Sequence, residues 1–100
     1  MATLPAADED DADDLLELLH AHRELKHLRV RRRGVVLTIE SGQKADAASH
    51  ARLRRATKQL WTLEIATHME TWQLTGERGS MRHLVDILVE QFPWVLASVG

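Results

Sequence analysis

A chain of 100 residues with 44 % hydrophobic and only 4 % aromatic content fits one small domain with an aliphatic core of Leu, Val and Ile. The absence of cysteine excludes a disulfide framework and thiolate chemistry. No apolar run is long enough for a membrane span or a secretory leader, so a soluble, cytoplasmic protein is the default expectation. The net charge of −2 conceals segregation: residues 1–20 carry seven acids and no Lys or Arg, residues 21–60 eleven Lys or Arg and three acids, and residues 61–100 two Arg and five acids.

Residues 1–10 hold too little apolar surface to offset ordering entropy and read as a disordered acidic tail. The remainder, 11–100, reads as a single α+β domain. A first helix is predicted over Asp11–His27, with Leu15, Leu18, Leu19, His22 and Leu25 on one 3.6-residue stripe. Carboxylates stand at its start and Arg23, Lys26 and His27 at its end, as the helix dipole favours.

Residues 28–41, LRVRRRGVVLTIES, read as a β-hairpin turning at Arg33-Gly34. That register pairs Arg32 with Val35, Val30 with Leu37 and Leu28 with Ile39. It sends Leu28, Val30, Val35, Leu37 and Ile39 to one face and Arg29, Arg31, Val36, Thr38 and Glu40 to the other. Residues 46–58 are helix or extra strand. Their Ala, Arg, Leu, Lys and Gln content favours helix, whereas a strand would pair Leu53 with Leu63.

A second hairpin follows. Trp61, Leu63 and Ile65 alternate with Thr62 and Glu64, and a four-residue loop at 67–70 would pair Ile65 with Trp72 and Leu63 with Leu74, both pairs inward. After a Gly76–Gly79 loop, Ser80 caps a last helix with the stripe Met81, Leu84, Val85, Leu88 and Phe92, ended by Pro93. The expected architecture is an antiparallel sheet of two β-hairpins with the N- and C-terminal helices packed on one face, a two-layer sandwich.

Three features bear on function. Arg29, Arg31, Arg33, Arg52 and Arg54, followed by Arg55 and Lys58, form an array suited to phosphate oxygens or to carboxylates of an acidic protein partner. With Trp72 and Trp61 both directed inward, this face carries no aromatic for base stacking, which limits a nucleic-acid partner to electrostatic contact. The acidic N-terminus is itself a candidate to lie across the array. Second, Ile87, Val89, Trp94 and Leu96 are candidates for an apolar homodimer contact, unless the C-terminal segment folds back to seal one end. Third, six histidines lack any metal-ligand spacing, and no nucleophile motif is present.

No catalytic residue, metal or cofactor is therefore assigned. The reading is a small non-enzymatic protein-interaction module, homodimeric. The alternatives are a nucleic-acid-associated protein using the basic sheet face, or a small ribonuclease-like toxin.

Overall fold

Five consecutive strands pair antiparallel in chain order in the computed structural model, which describes residues 6–42, 48–67 and 71–96. Outside the described residues lie the first half of the expected acidic tail (1–5), the start of the 46–58 segment with Asp46, the tip of the second hairpin (68–70) and the last residues (97–100). The strands are β1 (Arg29–Arg33), β2 (Val36–Ser41), β3 (Ala48–Arg55), β4 (Trp61–Ala66) and β5 (Trp72–Gly79), flanked by α1 (Glu9–His20) and α2 (Met81–Gln91). The α+β class, the antiparallel sheet and the helix at each end are as the sequence predicts. The extra-strand alternative for 46–58 is the one formed.

Helix α1 begins at Glu9 because Asp8 caps it. The Asp8 carboxylate accepts from the Asp11 backbone N–H at 2.8 Å and Asp11 returns the bond to the Asp8 N–H at 3.1 Å, a capping box that satisfies two helix-end donors. Asp8–Asp10 are thus cap and first turn, and Ala7 before them is buried. The helix ends at His20, short of the predicted His27; a 3₁₀ turn at Arg23–Leu25 follows. The His20 ring donates to the Leu28 carbonyl at 2.8 Å, which folds the chain back toward β1 while Leu25 still reaches the core.

The first hairpin is in a register two residues from the expected one. Arg33 pairs with Val36, Arg32 with Leu37 and Val30 with Ile39. The reason is Gly34, whose φ of 58° suits the first position of a two-residue turn; the turn is therefore Gly34-Val35. A shift of two preserves the faces. Val35 leaves the strand for the turn, and Arg32 stays on the inner side at the sheet edge, opposite Leu37. There its guanidinium reaches the Ala7 carbonyl at 3.5 Å and Glu9 at 3.9 Å.

Strand β3 inserts between β2 and β4, pairing Leu37 with Leu53 and Leu53 with Leu63. Leu37, Ile39, Ala51, Leu53, Trp61, Leu63 and Ile65 are buried on the inner face against Leu15 and Leu19 of α1 and Leu84, Val85 and Leu88 of α2. Each such leucine contributes about 1.5–3 kcal/mol on burial. Ser80 caps α2 by accepting from the His83 N–H at 3.2 Å. Pro93 opens a final 3₁₀ turn, Pro93–Leu96, that folds back onto the domain with Leu96 buried.

The second hairpin departs from expectation. Ala66 pairs with Trp72, Ile65 with Gln73 and Glu64 with Leu74. This one-residue slip turns Trp72 and Leu74 to the outer face. The hairpin end is set by a threonine pair: the Thr67 N–H donates to the Thr71 carbonyl at 2.9 Å, and the two hydroxyls lie 2.8 Å apart. A bulge between the Thr62 and Glu64 pairings, with Gly76 at φ 81°, then carries Gly76–Gly79 into β5 instead of a loop.

Candidate functional site

The outer face of the sheet is not covered by either helix. Arg29, Arg31 and Arg33 alternate along β1, with side chains about 7 Å apart at successive outward positions. Across the ladder stand Glu40, Thr38 and Val36 of β2, then Arg52 and Arg54 of β3, Thr62, Glu64 and Ala66 of β4, and Trp72, Leu74 and Arg78 of β5. The pairing therefore brings together all five arginines singled out in the sequence. It also adds three residues that sequence reasoning missed: Arg78, Leu74 and Trp72.

Two glutamates organise this face. Glu40 receives Arg29 at 3.1 Å and Arg31 at 3.7 Å. Glu64 receives the Arg52 Nε and, at 3.5 Å, the Arg54 Nε. The carboxylates are nearly sealed, with side chains 9 % and 6 % exposed, whereas Arg31 and Arg54 are 60 % and 45 % exposed. A buried carboxylate must be paired to be tolerated, and each takes two guanidinium groups, one more enclosed (Arg29 or Arg52) and one more exposed (Arg31 or Arg54). Each glutamate neutralises one of its two arginines. Arg31 and Arg54 keep outward donor edges for another anion, and no ion pair joins Arg33 or Arg78 among the described residues.

Trp72 corrects the expectation of an aromatic-free face. The Arg52 guanidinium lies over its ring, 4.3 Å from the centroid, a cation–π contact. Arg52 is thus held from the side by Glu64 and from below by Trp72. Next to this stack, Arg54, Thr62, Glu64, Leu74, Glu77 and Arg78 are among the residues that line a depression of about 410 Å³, with Leu74 71 % exposed.

Arg55 does not belong to the array. It points inward at the end of β3, stacks 4.5 Å from the Trp61 ring centroid, and donates to Asp11 and to the Lys58 carbonyl, both at 2.5 Å. Asp8–Asp14 lie on the helix layer, across the sheet from the arginines, so the acidic segment does not lie over the array within one chain; it engages Arg55 and Arg32 instead.

The expected dimer residues separate. Ile87 and Leu96 are buried in the core and unavailable to a second copy. Val89 is half-buried against the core, and Trp94 is exposed with its ring edge-on to Phe92. Two histidines hold the turn that contains Leu96. His27 Nε2 donates to the Leu96 carbonyl at 3.1 Å, and His50 Nδ1 donates to the Val95 carbonyl at 2.7 Å. His50 has no ladder partner at the β3 bulge. Its other nitrogen meets the Ser41 hydroxyl at 2.7 Å, both residues being buried. Burial, opposed by the Val95 bond and aided by the charge of His27, lowers the His50 pKa from the ordinary 6.5. Neutral His50 then accepts from Ser41, the polarity of a serine–histidine dyad; both side chains are buried, and His50 borders a depression of about 790 Å³ shared with Ser49, Phe92 and Trp94. Among the described residues no three or more histidine, aspartate or glutamate side chains gather into a metal-holding group. None of the described helices is long and apolar enough to cross a membrane.

No family model, curated protein or solved structure matches this chain.

Proposed function

We propose that the protein is a non-enzymatic interaction module, with a cytoplasmic setting, that docks a nucleic-acid phosphate backbone on the open face of its sheet. The observation that carries this reading is the pairing of two buried glutamates with four arginines, which fixes the guanidinium groups in rows yet leaves Arg31 and Arg54 with free donor edges. Guanidinium presents several N–H donors in a planar fork matched to phosphate oxygens. Arg33 and Arg78 extend the rows to both edges of the sheet. The protein-partner reading through a homodimer has less support, because two of its four contact residues lie in the core.

The test is binding of a labelled nucleic acid followed by fluorescence anisotropy as salt rises from 50 to 200 mM. Neutralising about four phosphates gives a log–log slope of about −3 on a single strand, or somewhat steeper on a duplex. Arg31→Ala combined with Arg54→Ala should weaken binding to every sequence alike and flatten the slope by about 1.5. Affinity that stays constant over this range overturns the reading.

A further inference from the structure

We infer that the strand docked on this face is single-stranded, with its bases seated at the β4–β5 edge: one on the Arg52–Trp72 stack and its neighbour in the depression beside Leu74. The inference rests on the phosphate-docking reading above and adds the chemistry that arginines alone do not supply.

Three observations converge. First, the hairpin register places Trp72 and Leu74, the only large apolar groups of β5, on the same face as the arginines. A tryptophan and a leucine placed outward serve no core, and Leu74 meets water over 71 % of its surface. Second, the Arg52 guanidinium lies over the indole with its Cζ 4.3 Å from the ring centroid and is anchored by Glu64. It sits beside the aromatic surface as a second planar group, and nucleobases stack on guanidinium planes and aromatic rings alike. Third, the depression at the β5 bulge has an apolar side at Leu74 and guanidinium groups at Arg54 and Arg78, with Glu77 also on its lining and Glu64 already paired with Arg52 and Arg54. That combination suits a planar base whose flanking phosphates meet the guanidinium groups.

A duplex presents phosphates but keeps its base faces stacked inside, so it reaches the arginines and not the stack. An acidic peptide likewise fits the guanidinium groups and leaves Trp72 and Leu74 without a role. RNA and DNA single strands share the chemistry argued here.

The experiment measures anisotropy of labelled single-stranded RNA and DNA of one mixed sequence, the corresponding duplexes, a poly-glutamate peptide, and heparin as a polyanion without bases. Expected are tighter binding of single strands than of duplex, poly-glutamate or heparin, and a loss of roughly 5- to 150-fold in single-strand affinity on Trp72→Ala, with heparin binding unchanged. Trp72→Phe should retain most of the affinity. Leu74→Ser, at an exposed position, should weaken single strands alone and guards against misfolding of the tryptophan variant. Comparing RNA with DNA reveals whether the 2′-hydroxyl contributes. The base-docking inference is overturned if duplex, heparin or poly-glutamate binds as tightly as single strands, or if Trp72→Ala and Leu74→Ser leave single-strand affinity intact. Phosphate docking then survives if the nucleic-acid binding remains steeply salt-dependent. If nucleic acid and heparin both fail to bind, both readings fall.

Discussion

His50 shows how one side chain can tie the far end of the chain to the sheet. The Val95 carbonyl can only accept, so Nδ1 carries the hydrogen and Nε2 of the neutral ring takes the Ser41 hydroxyl proton as a hydrogen bond. Protonation would put a donor on both nitrogens in a buried site facing a second imidazole, His27, whose ring centroid is 6.4 Å away. The folded state therefore favours the neutral ring, chiefly through burial. In the unfolded chain the ring titrates at its ordinary 6.5. Above that pH both states are neutral and the stabilisation is complete. As pH falls below it, the unfolded chain gains a proton that the folded chain refuses, and stability drains away until the folded pKa is passed. Urea unfolding of the parent and of His50→Gln from pH 7.5 to 5 should show an extra acid-side loss in the parent, at most about 1.4 kcal/mol per pH unit. Identical pH profiles would remove His50 as the sensitive group.

At the level of elements, the second hairpin decides what the outer face can do, and its register is open to a direct test. Leu74 points to water, so Leu74→Ala should alter stability by no more than about 0.5 kcal/mol. Leu63 is 1 % exposed between the sheet and the helices, and Leu63→Ala should cost about 2–5 kcal/mol. Chemical unfolding of the two variants checks this; similar losses would point to the alternative pairing in which both leucines face inward. That alternative is what simple alternation predicts for β5, since it counts Trp72 and Leu74 as core residues. The cue in the sequence was the Thr67 and Thr71 pair, whose mutual bonds fix the hairpin end. In β1, β2 and β4 alternation was enough to sort the faces. The inner set Leu37, Ile39, Leu63 and Ile65 and the outward Arg29, Arg31 and Arg33 were legible because one face of each of these strands is apolar. Strand β3 was obscured by helix-favouring Ala and Arg. Its identity comes from pairing on both sides, where tertiary context overrides propensity. The partners of the arginines were legible only as residue types. Glu40 and Glu64 read as polar outward positions until the ladder set each beside two guanidinium groups. The apolar C-terminal segment suggested a dimer surface because sequence periodicity cannot show that Pro93–Leu96 folds back.

Across the whole molecule the charges form two opposed layers. The outer sheet face gathers Arg29, Arg31, Arg33, Arg52, Arg54 and Arg78, while Asp10, Asp13, Asp14 and Glu17 lie on α1 at the other side of a body measuring 44 × 28 × 28 Å. A net charge of −2 would repel a polyanion if spread evenly. Segregated, it makes approach orientation-dependent, with the arginine face attracted and the helix layer turned away. The two layers are separated by at least a helix diameter, about 10 Å, which is comparable with the Debye length at 0.1 M salt. The repulsive contribution of α1 is therefore long-range and screenable, whereas the arginine contacts act at hydrogen-bond distance. Replacing Asp10, Asp13, Asp14 and Glu17 by their amides, with Asp8 and Asp11 kept to preserve the cap and the Arg55 bridge, separates the two. The variant should bind nucleic acid several-fold more tightly at 10 mM salt, where the Debye length is about 30 Å. It should converge on the parent by about 0.5 M, with the arginine contacts unchanged. Stopped-flow association rates measured across that salt range provide the check. A gain that persists undiminished at high salt would mean that α1 lies in the interface itself, and the docking face would have to be moved from the sheet to the helix layer.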